Sequence, residues 1–308
     1  MKLSQLASRK ICVTGAGGFI GGHLCRALRD CGAEVHGISR RAQVKSTDNT
    51  CWWQGDLADA SGIRKLMVAI KPDIIFHLAG HVAGSRDLRL VWQTFEGNLV
   101  STVNLLTIGS EVGCQRIIVA GSLEEPEFDS GEPVPCSPYA AAKGASSSYA
   151  RMFHALYQTP VVMARLFMVY GPGQQDVSKL IPYVTLSLLK NQSPRLGSGQ
   201  RQIDWVYVED VVDGLIAAAQ APSVEGRTID LGSGTLVSIR TIVQQLADRI
   251  DPRIELMWGA LPDRPMEQTR VANISRTYDA TGWMPKTPLA MGLDHTVEWY
   301  REHGGALL

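Results

Sequence analysis

An excess of charge of either sign is the first thing this 308-residue chain lacks. Thirty Lys and Arg offset thirty Asp and Glu, for a formal net charge of zero. No broad field therefore draws the protein to nucleic acid or to an anionic membrane surface. Long hydrophobic runs are missing too, and none approaches the roughly 20 apolar residues of a membrane-spanning helix. The six cysteines (Cys12, Cys25, Cys31, Cys51, Cys114 and Cys136) form no Cys-x-x-Cys pair and have no histidine at metal-ligand spacing. That excludes the common zinc and redox motifs and fits free thiols in a reducing compartment, with neither disulfide nor metal expected. Lys2, Arg9 and Lys10 precede an apolar stretch broken by glycines, with no signal-like cleavage region. The expectation is a soluble cytoplasmic protein. Internal repeats and low-complexity segments are also absent.

What is present is apolar material, 45% of the chain, enough for one large or two modest cores. Through the first two thirds, β-branched runs alternate with helical patterns: Ile11 to Thr14, Glu34 to Ile38, Ile74 to Leu78, Arg116 to Ala120 and Val161 to Phe167. Strands buried on both faces and separated by helices predict an α/β fold with a doubly wound parallel, Rossmann-like sheet. After Gly171-Pro172-Gly173 the pattern changes. Helical stretches near Leu180 to Lys190 and Val208 to Gln220 flank a turn-rich Ser193 to Gln202, and five prolines between Pro252 and Pro288 punctuate a last quarter that reads as short elements and loops. The predicted division is a dinucleotide-binding domain over 1–170 and a smaller, mainly substrate-binding domain over 171–308, with some chain returning to the sheet.

The first strand runs directly into Gly15-Ala16-Gly17-Gly18-Phe19-Ile20-Gly21. Gly15 can take the tight turn, Gly18 can bring bare backbone against phosphates, and Gly21 lets the next helix lie close to the sheet. A helix opening at Phe19 and Ile20 aims its N-terminal amides and positive dipole end at an anion. Strand, glycine turn and helix thus stand in the order that holds a pyrophosphate.

Farther along, Tyr139-Ala140-Ala141-Ala142-Lys143 puts a phenol and an ammonium one helical turn apart on one face. Ser137-Pro138 supplies the helix start, and Ser122 follows the Ile117 to Ala120 strand at the carboxyl edge where ligands bind in such sheets. A phenol with a pKa of about 10 is a poor acid/base at neutral pH, and a neighbouring ammonium lowers that value.

Together the Gly-x-x-Gly-x-x-Gly turn and the Ser122, Tyr139, Lys143 set resemble the short-chain dehydrogenase/reductase superfamily, in its extended, NAD-dependent epimerase/dehydratase branch acting on nucleotide sugars. Further matches span nearly the whole chain: Gly55-Asp56-Leu57, His77-Leu78-Ala79-Gly80, Asn98 to Thr102, Arg165 to Gly173, Asp204 to Asp210, Arg264-Pro265 and Gly282 to Pro285. The resemblance implies Tyr139 as acid/base, Lys143 as the group that lowers its pKa and grips the nicotinamide ribose, and Ser122 as the substrate-oxygen ligand. It implies cofactor contacts from Asp56, Leu57, Leu78, Ala79 and Gly80. It also implies a homodimer through the Asn98 to Val112 and Tyr139 to Tyr157 helices, with Ala145, Tyr149, Met152 and Phe153 on exposed faces.

The second strand ends in Ser39-Arg40-Arg41, where an NAD-binding unit carries an acid for the ribose 2'-hydroxyl. Two guanidinium groups suit a 2'-phosphate, which favours NADP(H), with NAD(H) the other possibility. For the substrate's diphosphate the candidates are Arg201 and Arg264. Glu124 matches the acid of the nucleotide-sugar 4,6-dehydratases, whereas Leu123 stands in place of their Asp. The leading expectation is NADPH-dependent reduction of a nucleotide-linked 4-keto-6-deoxysugar. The alternatives are an NAD-dependent nucleotide-sugar 4-epimerase, a dehydratase, or a non-catalytic dinucleotide-sensing protein.

Overall fold

The structure, a computed structural model, describes residues 6–41, 49–82, 84–126 and 134–307. Its elements in chain order begin with β1 (Lys10–Thr14), α1 (Phe19–Asp30), β2 (Glu34–Ser39), β3 (Cys51–Gln54), α2 (Ala60–Ile70) and β4 (Ile74–His77). Next come α3 (Leu90–Thr94), a π-helical turn (Phe95–Val100), α4 (Ser101–Val112), β5 (Arg116–Ser122), α5 (Pro138–Tyr157) and β6 (Val161–Leu166). The remainder is β7 (Met168–Tyr170), α6 (Leu180–Leu189), β8 (Gln202–Tyr207), α7 (Val208–Gln220), β9 (Thr228–Leu231), β10 (Leu236–Ser238), α8 (Ile239–Ile250), α9 (Ile274–Thr281) and α10 (Leu289–His303). Two compact units result.

The first unit, Met1–Leu166 with Val212–Asp230 and Ser275–Trp283, carries a seven-stranded sheet in the order β3-β2-β1-β4-β5-β6-β9. Pairing is parallel from β3 through to β6. This is the expected doubly wound, Rossmann-like sheet. All four residues of β4 and all seven of β5 are buried, as strands covered on both faces must be. Ile75, Ile117, Val119, Met67, Leu105 and Met163 belong to one continuous core. The chain winds outward in both directions from the β1–β4 pair, where Thr14 lies opposite His77. Ligands bind in such sheets at the crevice this reversal opens, outside the strands' carboxyl ends.

The second unit, Phe167–Val211 with Leu231–Ile274 and Met284–Leu308, holds a three-stranded sheet in the order β10-β8-β7. There β8 runs antiparallel to β10 and parallel to β7. Val184 of α6, Ile242 and Leu246 of α8, and Leu293 and Val297 of α10 pack with Ile203 and Trp205 of β8. The buried carboxylate of Asp204 accepts the Ser233 and Gly234 amides at 2.6 and 3.0 Å, the Ser233 hydroxyl at 2.7 Å and the Ala272 amide at 3.0 Å. It pins the return of the chain after β9 and a second loop to β8.

The last quarter corrects the expectation of short elements and loops. It contains two long helices, because its prolines flank helices and do not interrupt them. Ile250 ends α8 two residues before Pro252, and Pro288 sits at the N-cap of α10, the end of a helix where a missing N–H costs nothing. A second correction concerns α5: Phe153 is buried in the core of the first unit, whereas Tyr149 is 41% exposed. No helix among the described residues is long and apolar enough to cross a membrane.

Candidate active site

At the end of β1 the chain takes the tight turn expected of Gly15, which has φ +72°. A Cβ on Gly15 would lie 2.8 Å from the Ala79 amide nitrogen, so Leu78 and Ala79, after β4, press on the turn. The amide of Gly18 donates to the Gly15 carbonyl at 2.9 Å, and Gly21 faces that same carbonyl too closely to accept a side chain. Gly18 is the N-cap of α1 and offers no side-chain cap, which leaves the first amides of the helix to a ligand. Phe19 and Ile20 open the helix, half-buried. This bare-backbone cradle fits a dinucleotide's pyrophosphate.

At the end of β2, Arg40 and Arg41 are exposed. The Arg41 amide donates to Ser39 Oγ at 3.2 Å, and the Arg40 carbonyl accepts from Gln54 at 3.1 Å. Asp56 caps its own turn by accepting the Ala58 amide at 3.0 Å, and Asn104 Nδ2 donates to the carbonyl of buried Leu57 at 2.9 Å. Beyond Ala79, exposed Gly80 sits where a Cβ would meet Asn98 Oδ1. The Asn98 side chain pairs with the His81 backbone in both directions, at 3.0 and 3.1 Å.

Behind this loop lies a buried chain of hydrogen bonds that sequence reasoning did not find. His77 Nδ1 meets Thr14 Oγ1 at 2.8 Å and its Nε2 meets Thr102 Oγ1 at 3.0 Å. Thr102 spends its proton on the Asn98 carbonyl at 2.6 Å, so it must accept from Nε2–H, and Thr14 must donate to Nδ1. Burial, with the Lys143 charge adding to it, pushes the His77 pKa down to about 3. The ring is therefore neutral and confined to one tautomer.

Ser137 caps α5 by accepting the Ala140 amide at 3.1 Å, with Pro138 behind it in the first turn. This start places Tyr139 and Lys143 on the face turned to β5. Both are buried, and Lys143 Nζ donates to the Ala120 carbonyl at 2.8 Å. Nζ lies 6.0 Å from the Tyr139 ring centroid. Ser122 Oγ accepts the Glu124 amide at 3.2 Å and shares a hydrogen bond with the Tyr139 phenol. The three predicted catalytic side chains thus converge at the carboxyl end of β5.

The electrostatics differ from the simple expectation. Burial pushes the Tyr139 phenol well above its ordinary range, the bond to Ser122 opposes this, and Glu124 and Glu125 add to the rise. Lys143 contributes no lowering of the phenol, and its own amine is brought down to about 8 by burial, Glu125 opposing. Glu125, a further residue missed in the sequence, is 5% exposed. Its Oε1 accepts the Ser122 amide at 2.7 Å and its Oε2 the Ser147 hydroxyl at 2.8 Å. Glu124 beside it is half-buried.

In the second unit, Arg201 and Arg264 reach the same carboxylate: Arg201 pairs with Glu267 at 3.0 Å and Arg264 at 3.9 Å. Arg201 also donates to the Gln268 carbonyl at 3.2 Å, whereas Arg264 keeps 62% of its side chain exposed.

Comparison with known proteins bears on this arrangement directly. Residues 11–232 match the model of the NAD dependent epimerase/dehydratase family. A dTDP-glucose 4,6-dehydratase of Streptomyces griseus is 30% identical, over 94% of this chain and 94% of its own. A UDP-glucose 4-epimerase of Mycolicibacterium smegmatis is 29% identical, over 94% and 97%. The crystal structure of Thermus thermophilus UDP-glucose 4-epimerase in complex with NAD superposes with a TM-score of 0.83 at 26% identity, covering 94% of this chain and 98% of that one. With a glycine cradle at the switch point of the sheet and a Ser, Tyr, Lys set beside it, the chain belongs to the NAD dependent epimerase/dehydratase family.

Proposed function

We propose that the protein is an NADPH-dependent reductase of a nucleotide-linked 4-keto-6-deoxysugar, with Tyr139 as the acid. The observation that carries this reading is the convergence of Ser122, Tyr139 and Lys143 at the end of β5, with the phenol held in its protonated state by burial. A carbonyl undergoing reduction needs a proton donor for its oxygen, and a phenol that keeps its proton at neutral pH meets that need. Ser122 Oγ, fixed by the Glu124 amide, orients the same oxygen and stabilises the charge that develops there.

The dinucleotide would be held by Gly15, Gly18, Phe19, Ile20 and Gly21 at the pyrophosphate, by Asp56 and Leu57 at the adenine end, and by Leu78, Ala79, Gly80, Tyr139 and Lys143 toward the nicotinamide. When bound, it supplies the hydride. Ser39, Arg40 and Arg41 would receive the 2'-phosphate, and the exposed, fork-shaped guanidinium groups support that choice. Arg201, Arg264 and Glu124 are the proposed substrate contacts. A homodimer is part of the same reading, with Trp92, Phe95, Tyr149 and Leu156 as exposed apolar side chains available to it.

The two UDP-glucose 4-epimerases among the named relatives support a second reading, an NAD-dependent nucleotide-sugar 4-epimerase, and the dTDP-glucose 4,6-dehydratase is a relative of the other alternative, dehydration. Dehydration has less support, since Leu123 is buried and brings no carboxylate. The deciding experiment incubates purified protein with NADPH or NADH and a panel of nucleotide-linked 4-keto-6-deoxysugars while absorbance is followed at the reduced nicotinamide band. Stoichiometric NADPH oxidation is expected. Its absence, with tightly bound NAD released on denaturation, would replace the reductase by the epimerase.

A further inference from the structure

Glu125 occupies an unusual place for a carboxylate. It sits three residues past the end of a fully buried strand, is 5% exposed, and has both oxygens engaged as acceptors, Oε1 from the Ser122 amide and Oε2 from the Ser147 hydroxyl. A Cβ on Gly121 would collide with Oε1, so the chain has cleared backbone space to let the carboxylate in. Acceptance at both oxygens is the pattern of an ionised group, and burying an ion without a return is costly. Ser147 lies one helical turn beyond Lys143 on α5, which brings the carboxylate under the helix that carries the ammonium.

Resting on the reductase reading above, we propose that Glu125 is a positioning residue: its buried carboxylate fixes the Ser122 backbone from below and, held by Ser147 under the helix that carries Lys143, sustains the ammonium there. One side chain thereby governs two members of the set without touching substrate. The Ser122 amide is held at the position from which Oγ projects, and the Lys143 amine, which burial draws down, is drawn back up by the carboxylate. Among the described residues, the groups that bear on Lys143 are neutral His77 from β4, Tyr139 on its own helix and Glu125 from the segment after β5. Of these Glu125 alone brings a negative charge.

The test separates charge from geometry. Glu125→Gln keeps the shape and one acceptor and removes the charge. Glu125→Asp keeps the charge and withdraws it from the Ser122 amide. In wild type and both variants, Lys143 is titrated by carbon-13 NMR of its side chain, assigned with Lys143→Met, and kcat and KM are followed against pH.

For Glu125→Gln the expected result is a Lys143 midpoint at least one pH unit lower, with the alkaline limb of kcat moving down equally. For Glu125→Asp it is a midpoint within a few tenths of wild type and a kcat about ten-fold lower at unchanged KM for NADPH. An unchanged midpoint in Glu125→Gln overturns the proposal, as does a lowered midpoint with an unmoved kcat limb. If one variant does not fold, the other decides by its own criterion. Failure of every sugar nucleotide to turn over would count against the reductase reading, while the NMR midpoints would still decide whether Glu125 sustains the ammonium.

Discussion

Lys143 Nζ donates a 2.8 Å hydrogen bond to the carbonyl oxygen of Ala120. That contact ties α5 to the end of β5 and holds a buried ammonium there. The folded protein gives up the Lys143 proton from about 8, whereas the unfolded chain keeps it to the ordinary value of 10.5. The unfolded state binds more protons between those two values, so stability rises with pH across this window, and below it the protein carries the whole cost of the buried charge. The urea midpoint of the wild type should therefore rise relative to that of Lys143→Met between pH 8 and 10.5, by at most the equivalent of about 3 kcal/mol. Denaturation series at pH 7 and pH 10 check this.

Tyr139→Phe removes the phenol proton and leaves the ring in its packing. Turnover should fall by roughly 100- to 10,000-fold, the range of general acid–base catalysis, with thermal stability and NADPH affinity close to wild type. Steady-state rates together with a cofactor titration read both.

Replacing Arg40 and Arg41 together by Ser should lower the ratio of kcat/KM for NADPH over NADH by about 10-fold or more, since the proposed 2'-phosphate site would lose two charge-assisted contacts. The rate with NADH should change little. Equal losses with both cofactors would remove these arginines from the 2'-phosphate.

Asp204→Asn tests the second unit. An amide can accept at one atom only, so at least one of the donors now served by Oδ2 or Oδ1 is left facing an N–H. Destabilisation of about 2 to 4 kcal/mol is expected from a buried, multiply bonded carboxylate, measured as a lowered urea midpoint.

The doubly wound sheet was legible because β1, β4, β5 and β6 are largely buried and so appear as apolar runs rich in Ile and Val, with a shorter apolar stretch in β2. The edge strand β3, Cys51-Trp52-Trp53-Gln54, is only half-covered and leaves no such run. β8 was hidden behind the turn-rich segment that precedes it, and α8 and α10 behind prolines that bound them. In the site, Ser122, Tyr139 and Lys143 were legible from spacing, since one helical turn and one strand end suffice to bring them together. Glu125 was not, because an acid next to Glu124 in a loop reads as solvated, and only the backward curl of that loop shows that it is buried. His77 was noted for its resemblance alone. Its hydrogen bonds join Thr14 to Thr102 across 88 residues of sequence, and no local pattern announces such a link.

The π-helical turn between α3 and α4 has a consequence for how this protein can vary. An extra residue in a helix disturbs the regular backbone pairing, and here hydroxyls add their own bonds: Ser101 donates to the Gly97 carbonyl at 2.8 Å, and Thr102 and Ser146 donate to that of Asn98 at 2.6 and 3.3 Å. The rod is thus spliced at Asn98, with Trp92 and Phe95 turned outward before the splice and Leu105 and Leu106 inward after it. A lineage could drift freely in the outward half, whereas losing one residue from Phe95–Val100 would rotate the two halves against each other by about 100° and pull Asn98 from the His81 loop. Length at this point constrains the fold as strictly as any side chain does.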